Sequence, residues 1–210
     1  MTPPAGSGEA TTLPPSYFED LYAAHQDPWG FTDRWYEERK RALTLAALPR
    51  RRYRRAFEPG CSLGVLTADL AARCDELIAT DVSQAALDRA AARVPATVEL
   101  RRWGLGQAWP DGAFDLVVLS EVGYYLSARD LPGVVGAAVA ALEEGGTLLA
   151  AHWRHAVADY PQGGDDVHAA IGAAPELQRL GGWCDEDVVI EVWEKTPGAV
   201  DSVARREGLV

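Results

Sequence analysis

The sequence predicts an α/β protein built on a mostly parallel sheet with helices on both faces. Three observations carry that reading. Strand-like and helix-like runs alternate over residues 53–152. One strand, Phe114-Asp115-Leu116-Val117-Val118-Leu119, is almost entirely apolar, as a strand covered on both faces must be. The run Phe57-Glu58-Pro59-Gly60-Cys61-Ser62-Leu63-Gly64 ends a strand in an acidic residue and opens a helix with a small-residue loop, and Asp81 ends the next strand. That is the layout of a mononucleotide-binding βαβ unit. Gly60, Ser62 and Gly64 let backbone N–H groups approach a ligand closely, and Asp81 can accept from both hydroxyls of a ribose.

The elements follow in order. Residues 1–14 are rich in Pro, Gly, Ser and Thr and predict a disordered tail. Helical spacing then comes in two pieces. Tyr17, Phe18, Leu21 and Tyr22 share one face, and Tyr36, Arg39, Lys40, Leu43 and Ala47 another, with a break at Asp27-Pro28-Trp29-Gly30. Strands are predicted over 53–58, 77–81, 98–103, 114–120 and 147–152. Helices are predicted over 64–73, from a Ser83 cap to 93, and over 130–142. Past residue 152 the alternation weakens to a short helix over 165–174 and two β-rich runs, 177–183 and 188–195. Cys184-Asp185-Glu186-Asp187 between those runs reads as a hairpin turn. One domain therefore spans 15–196, with N-terminal helices over 15–48 and a core over 53–196. Residues 197–210 read as a flexible tail.

Composition narrows the function classes. At 210 residues the chain is long enough for one full core, and its 48% hydrophobic and 24% charged content is that of an ordinary globular protein. No apolar run approaches the roughly 20 residues of a membrane span. The start has neither a basic region nor the apolar core of a signal peptide. Cys61, Cys74 and Cys184 are odd in number and lack metal-ligand spacing, so a reducing cytoplasm and no metal are expected. A net charge of −11 argues against a nucleic-acid partner. The basic run Arg50-Arg51-Arg52-Tyr53-Arg54-Arg55 reads as a solvated loop before a buried strand.

The order of parts resembles a class I S-adenosylmethionine-dependent methyltransferase. That resemblance implies a Rossmann-like sheet of seven strands with an antiparallel last strand. Asp27-Pro28-Trp29-Gly30, Trp35-Tyr36-Glu37 with Lys40, the glycine loop, and Ser120-Glu121-Val122-Gly123-Tyr124-Tyr125-Leu126 narrow it to the nodulation protein S family. Members of that family N-methylate the deacetylated terminal amino sugar of a chitooligosaccharide. The resemblance thus implies S-adenosylmethionine as cofactor and a small-molecule amine as acceptor. Two positions depart from the general pattern. Ser62 stands for the middle glycine of the loop, and Arg102-Trp103-Gly104 stands where many relatives carry an adenine-binding acid.

On that resemblance, Glu58 meets the methionine ammonium, Asp81 holds the ribose, and Val82 packs on the adenine. Adenine recognition otherwise falls to backbone groups or to Trp103. Cys61 sits in the cofactor loop as a small filler, because nothing supplies it with a base. Trp29, supported by Tyr36, closes a lid from the N-terminal helices that excludes water from the sulfonium. Ser120 and Glu121 end strand four beside the transferable methyl group, and Glu121 orients the amine or takes its proton. His152, ending strand five, is the alternative base. Arg154 with Tyr124, Tyr125, Asp159, Tyr160 and His168 forms a polar and aromatic set suited to sugar hydroxyls and sugar faces.

O-methylation of a sugar or secondary metabolite is the alternative within this class. A nicotinamide oxidoreductase conflicts with the terminal hairpin and the missing hydride-site pattern. A nucleic-acid methyltransferase would carry an Asn/Asp-Pro-Pro-aromatic element where this chain has Ser120-Glu121-Val122-Gly123. A cofactor-binding protein without catalysis is the reading from a different class.

Overall fold

The computed structural model describes residues 10–210. Seven strands form one sheet: β1 (Tyr53–Pro59), β2 (Cys74–Asp81), β3 (Val98–Arg102), β4 (Phe114–Ser120), β5 (Leu142–Trp153), β6 (Leu177–Cys184) and β7 (Val188–Lys195). Their order across the sheet is β3-β2-β1-β4-β5-β7-β6. All pairs are parallel except β5–β7 and β6–β7. The expected mostly parallel, seven-stranded sheet with an antiparallel end is therefore present. The helices are α1 (Pro15–Ala24), α2 (Trp35–Ala47), α3 (Val65–Ala71), α4 (Gln84–Ala91), α5 (Leu131–Ala141), α6 (Gly164–Gly172) and the short α7 (Val203–Arg206).

Strand alternation builds two cores, one per sheet face. Phe57, Val117 and Leu148 pack toward α5 and α6, while Ala56, Leu116, Val118 and Leu149 join Leu48 and Leu70 on the other side. β1 and β4 are adjacent in space but distant in the chain, so the winding direction reverses between them. Asp115 clamps their lower ends by accepting the Arg54 and Arg55 N–H groups at 2.8 Å each. A crevice at the carboxyl ends of such a strand pair is where open α/β sheets hold ligands.

Some boundaries move from the expected ones, each for a stated reason. β2 starts at Cys74 rather than 77 because Tyr53 pairs with Cys74 across the ladder. β5 starts at Leu142 rather than 147: Glu143-Glu144-Gly145-Gly146 reads as a turn but is absorbed as a bulge between the pairs Phe114–Leu142 and Leu116–Thr147. Of the expected disordered tail 1–14, residues 1–9 lie outside the described residues. Residues 12 and 13 are tied down, since the Ser127 N–H donates to Thr12 Oγ1 and the Leu13 N–H to the Tyr125 carbonyl, both at 2.9 Å. The C-terminal stretch also holds a partner, through Arg206 Nη2 at 2.6 Å from Glu194 Oε2.

Candidate functional site

Two cavities meet above the carboxyl ends of β1 and β4. The larger, of about 570 Å³, is walled by the loop Pro59–Leu63, Glu58, Asp81, Val82, Trp103–Gln107, Ser120 and α1. Its volume is in the range of about 300–1,000 Å³ typical of small-molecule sites. The smaller, of about 250 Å³, is walled mostly by aromatic rings: Trp29, Phe31, Tyr36, Tyr124, Tyr125, Trp153 and Tyr160. Trp29, Phe31, Glu37, Lys40, Glu121 and Tyr125 belong to both walls and mark the junction.

The larger cavity is made by a tight turn. Gly60 has φ +73°, and a Cβ there would lie 2.2 Å from Val122 Cγ1, so only glycine fits between β1 and β4. Ser62 is left-handed too, at φ +51°, which explains why a glycine is usual there. Its N–H donates to Asp81 Oδ2 at 2.9 Å, and its hydroxyl bonds Tyr22 of α1, which offsets the strain. Gly64, expected in the cofactor set, is not in the wall. A Cβ on it would strike Val94 and Ala90, so it allows α3 to pack on α4.

Two buried carboxylates face this cavity. Asp81 accepts the Ser83 N–H on Oδ1 at 2.9 Å and the Ser62 N–H on Oδ2, and keeps further lone pairs on both oxygens. Glu58 is fully enclosed, and its Oε2 has no hydrogen-bond partner among the described residues. Burial pushes its pKa up to about 8. Trp103 is fixed edge-on to Phe57 at 5.3 Å, with its Nε1–H donating to the Ala108 carbonyl at 2.8 Å. Arg102 and Gln107 complete the wall; Arg102 stands in the sequence only as a departure from the general pattern, and Gln107 carries no expectation.

The break at residues 27–30 is an Asx-type turn. Asp27 accepts the Gly30, Phe31 and Thr32 N–H groups at 2.9 Å each, and the Thr32 hydroxyl at 2.8 Å. Burial works against the charge, yet these donors hold the carboxyl below its ordinary pKa. The turn delivers Trp29 over the junction, 5.6 Å from the Tyr22 ring, with Nε1 3.4 Å from the Tyr160 hydroxyl.

At the junction, Lys40 of α2 bridges two carboxylates. Its Nζ lies 2.8 Å from Glu121 Oε1 and 2.8 Å from Glu37 Oε2. Burial alone would lower the lysine pKa, but Glu121 and Glu37 together raise it above the ordinary value. Glu121 sits in the left-handed region at φ +56°. Its Oε2 accepts from the Tyr124 hydroxyl and from the Trp153 N–H, the latter at 3.2 Å. Strain at a non-glycine residue on a strand end is held only when its surroundings over-determine it.

Of the expected acceptor set, Tyr124, Tyr125 and Tyr160 come together, with Tyr124 and Tyr160 stacked at 4.9 Å. The other members do not reach either wall. His152 is fully buried on the α6 side of the sheet. The Gly123 N–H donates to its Nε2 at 3.1 Å, so its Nδ1–H donates to His168 Nε2 at 3.1 Å, and the His168 Nδ1–H to Glu191 Oε2 at 2.8 Å. Burial keeps both rings neutral, with pKa values below the ordinary histidine range. The pair braces the turn after β4 and has no ring nitrogen left for a ligand. Arg154 is taken by Asp165 at 2.8 Å, and Asp159 is exposed. Side chains alternate along β5, so Trp153 rather than His152 faces α2, with its ring 5.1 Å from Tyr36.

Residues 19–196 match the nodulation protein S family. The chain belongs to that family. Nodulation protein S of Rhizobium tropici is 32% identical over 130 residues, which cover 60% of this chain and 55% of that protein. The chain thus spans just over half the length of this relative. The N-methyltransferase NodS of Bradyrhizobium japonicum, solved with S-adenosyl-L-homocysteine, is 24% identical, covering 86% of this chain and 98% of that one at a TM-score of 0.78. A candidate methyltransferase from Pseudomonas syringae is 45% identical over 77% of this chain and 99% of its own, with a TM-score of 0.66. The sheet of this family member is therefore the class I methyltransferase sheet. Among the described residues no helix is long and apolar enough to cross a membrane.

Proposed function

We propose that this family member is an S-adenosylmethionine-dependent N-methyltransferase acting on the amine of an amino sugar. The observation that carries the reading is the junction of two unlike cavities, with Glu121 in the wall of both. The larger cavity suits the cofactor. The unpartnered, buried Glu58 oxygen can take the methionine ammonium, Asp81 has lone pairs for two ribose hydroxyls, and Gly60 leaves room for close backbone approach. Val82 and Trp103 offer apolar surface to the adenine, and Cys61, Ser62 and Ser120 line the path between. When bound, the cofactor would supply a methyl carbon activated by a positive sulfur and open to an acceptor nitrogen.

The protein's own work is alignment and exclusion of water. Trp29 and Tyr22 roof the junction, and Thr12 and Leu13 border the mouth. Lys40 and Tyr124 hold the Glu121 carboxylate at the end of β4. The aromatic wall suits the apolar faces of a sugar ring and the charge of an ammonium group. The family relationship supports an amine over a hydroxyl. The test is S-adenosylhomocysteine formation with a chitooligosaccharide bearing a free terminal amine, against the fully acetylated oligomer. Turnover with the free amine alone is expected. Turnover of the acetylated oligomer alone would move the acceptor to a hydroxyl.

A further inference from the structure

We propose that Glu37 of α2, rather than Glu121, is the carboxylate that binds the acceptor nitrogen and takes its proton, an inference that rests on the amine-methylating reading above. The two carboxylates share Lys40 but differ in everything else. Glu121 is the more fully bonded of the two: Lys40 holds Oε1, and the Tyr124 hydroxyl and Trp153 N–H occupy Oε2. Glu37 contacts one donor only, with Oε1 and Oε2 at 3.0 and 2.8 Å from the same Lys40 Nζ. Among the described residues no other group donates to it. Its oxygens therefore retain lone pairs at the junction, whose wall Glu37 joins in both cavities.

The charge count points the same way. Two buried carboxylates face one buried ammonium, which leaves a single negative charge inside an aromatic surround. Lys40 Nζ is 5.6 Å from the Phe31 ring and 5.3 Å from the Tyr36 ring. Among the described residues, the other neighbouring cations pair with neither carboxylate, although Arg41 still acts on Glu37 through space. Arg41 donates to the Phe31 carbonyl at 3.0 Å and lies 3.7 Å from Asp69, and Arg34 is exposed. Tyr36 and Tyr124 stay neutral because burial raises both phenols. His152, behind the turn, is also neutral. Among the described residues the buried Tyr36 hydroxyl has no partner; it lies in the wall of the smaller cavity, a second polar atom left for a ligand. A primary ammonium flanked by hydroxyls satisfies both vacant groups.

The proton balance is simple. The ammonium gives one proton to Glu37, which frees the nitrogen lone pair, and the N–C bond then forms as the C–S bond breaks. The product leaves as a secondary ammonium, and Glu37 returns its proton to water, so one proton is released per turnover. Burial raises the Glu37 carboxyl above its ordinary pKa despite Lys40, which favours proton uptake.

The experiment compares Glu37→Gln with Glu121→Gln, each of which removes one lysine partner. Glucosamine dimer is titrated calorimetrically into protein saturated with S-adenosylhomocysteine, and kcat/KM is followed from pH 5 to 9. Glu37→Gln is expected to bind the nucleoside as wild type does. It should bind the dimer at least about tenfold more weakly, lower kcat/KM by about a hundredfold and move the acid limb of the profile up to the titration of the free amine. Glu121→Gln should leave that limb in place and lose less than about tenfold. Equal effects of the two variants, or an acid limb left unmoved in Glu37→Gln, overturn the assignment. Glu37→Asp, which keeps the carboxylate, returns the limb to its place if Glu37→Gln folds poorly. A wild-type protein that binds the nucleoside but neither binds nor methylates the dimer overturns the amine reading itself, and this failure is distinct because it appears before any variant is made.

Discussion

The two cavities are built from different materials. The larger is backbone work: a glycine turn, a strand end and the loop after β3 arrive there because the sheet reverses its winding between β1 and β4. The smaller is side-chain work. Its wall takes Phe31 and Tyr36 from one segment, Tyr124 from a second, and Trp153 and Tyr160 from a third. A cavity made by backbone tolerates few changes. One made by side chains can be altered ring by ring, which is where acceptor choice can vary without disturbing the sheet.

The largest expected effect falls on the backbone-built side. Asp81→Ala removes the acceptor of both the Ser62 and the Ser83 N–H groups, so it loosens the loop as well as the ribose site. S-adenosylhomocysteine affinity measured by calorimetry should fall by at least about a hundredfold, the loss of two hydrogen bonds to a charged group. Affinity within threefold of wild type would show that the loop, and not this carboxylate, holds the nucleoside.

A second change sharpens the comparison through pH. With its native pKa raised to about 8 and an unfolded value near 4.5, Glu58 holds a proton in the ligand-free native state that the unfolded chain has lost. Its contribution to stability is complete below about pH 4.5 and declines as pH rises toward 8. Glu58→Gln should flatten that decline in urea unfolding at several pH values. Binding a cationic ligand favours the ionised carboxylate, so wild-type binding at pH 7 should release a proton, seen in buffers of different ionisation enthalpy. An equal release from Glu58→Gln would place the proton elsewhere.

The smallest effect belongs to the side-chain cavity. Tyr160→Ala removes the ring stacked on Tyr124 and should raise the acceptor KM by about three- to tenfold, the range of one aromatic contact. Nucleoside affinity should stay within twofold. A large drop in nucleoside affinity would mean that the two cavities are not separable.

The sheet and the larger cavity were legible because their signals are local. Strand alternation, a small-residue loop after an acid, and a second acid at the next strand end are contiguous in the chain. Val82 and Trp103, which the resemblance implied, line the larger cavity, yet Gly64 does not, because it packs against Ala90 of α4 and Val94 just beyond it. The acceptor side was read by placing polar residues near strand ends. That rule put His152 in the site and left Trp153 out. One step along a strand reverses the face, and the expected end of β5 was one residue short of the observed one. Glu37 and Lys40 stand in the sequence as part of the motif that carries the family resemblance but with no role, since nothing in α2 says which distant carboxylate its lysine will meet.

The sequence by itself determined the alternation of elements, the turn that only a glycine can make at position 60, and the two carboxylates at consecutive strand ends. Each depends on steric and hydrogen-bonding rules that act within a few residues. Tertiary structure alone decided that Lys40 meets Glu121, that the two histidines turn inward to brace Gly123, and that Thr12 and Leu13 lie against the mouth of the site. Those outcomes join groups from 16 to 115 positions apart in the chain, and only packing of the sheet against its helices brings them within bonding distance.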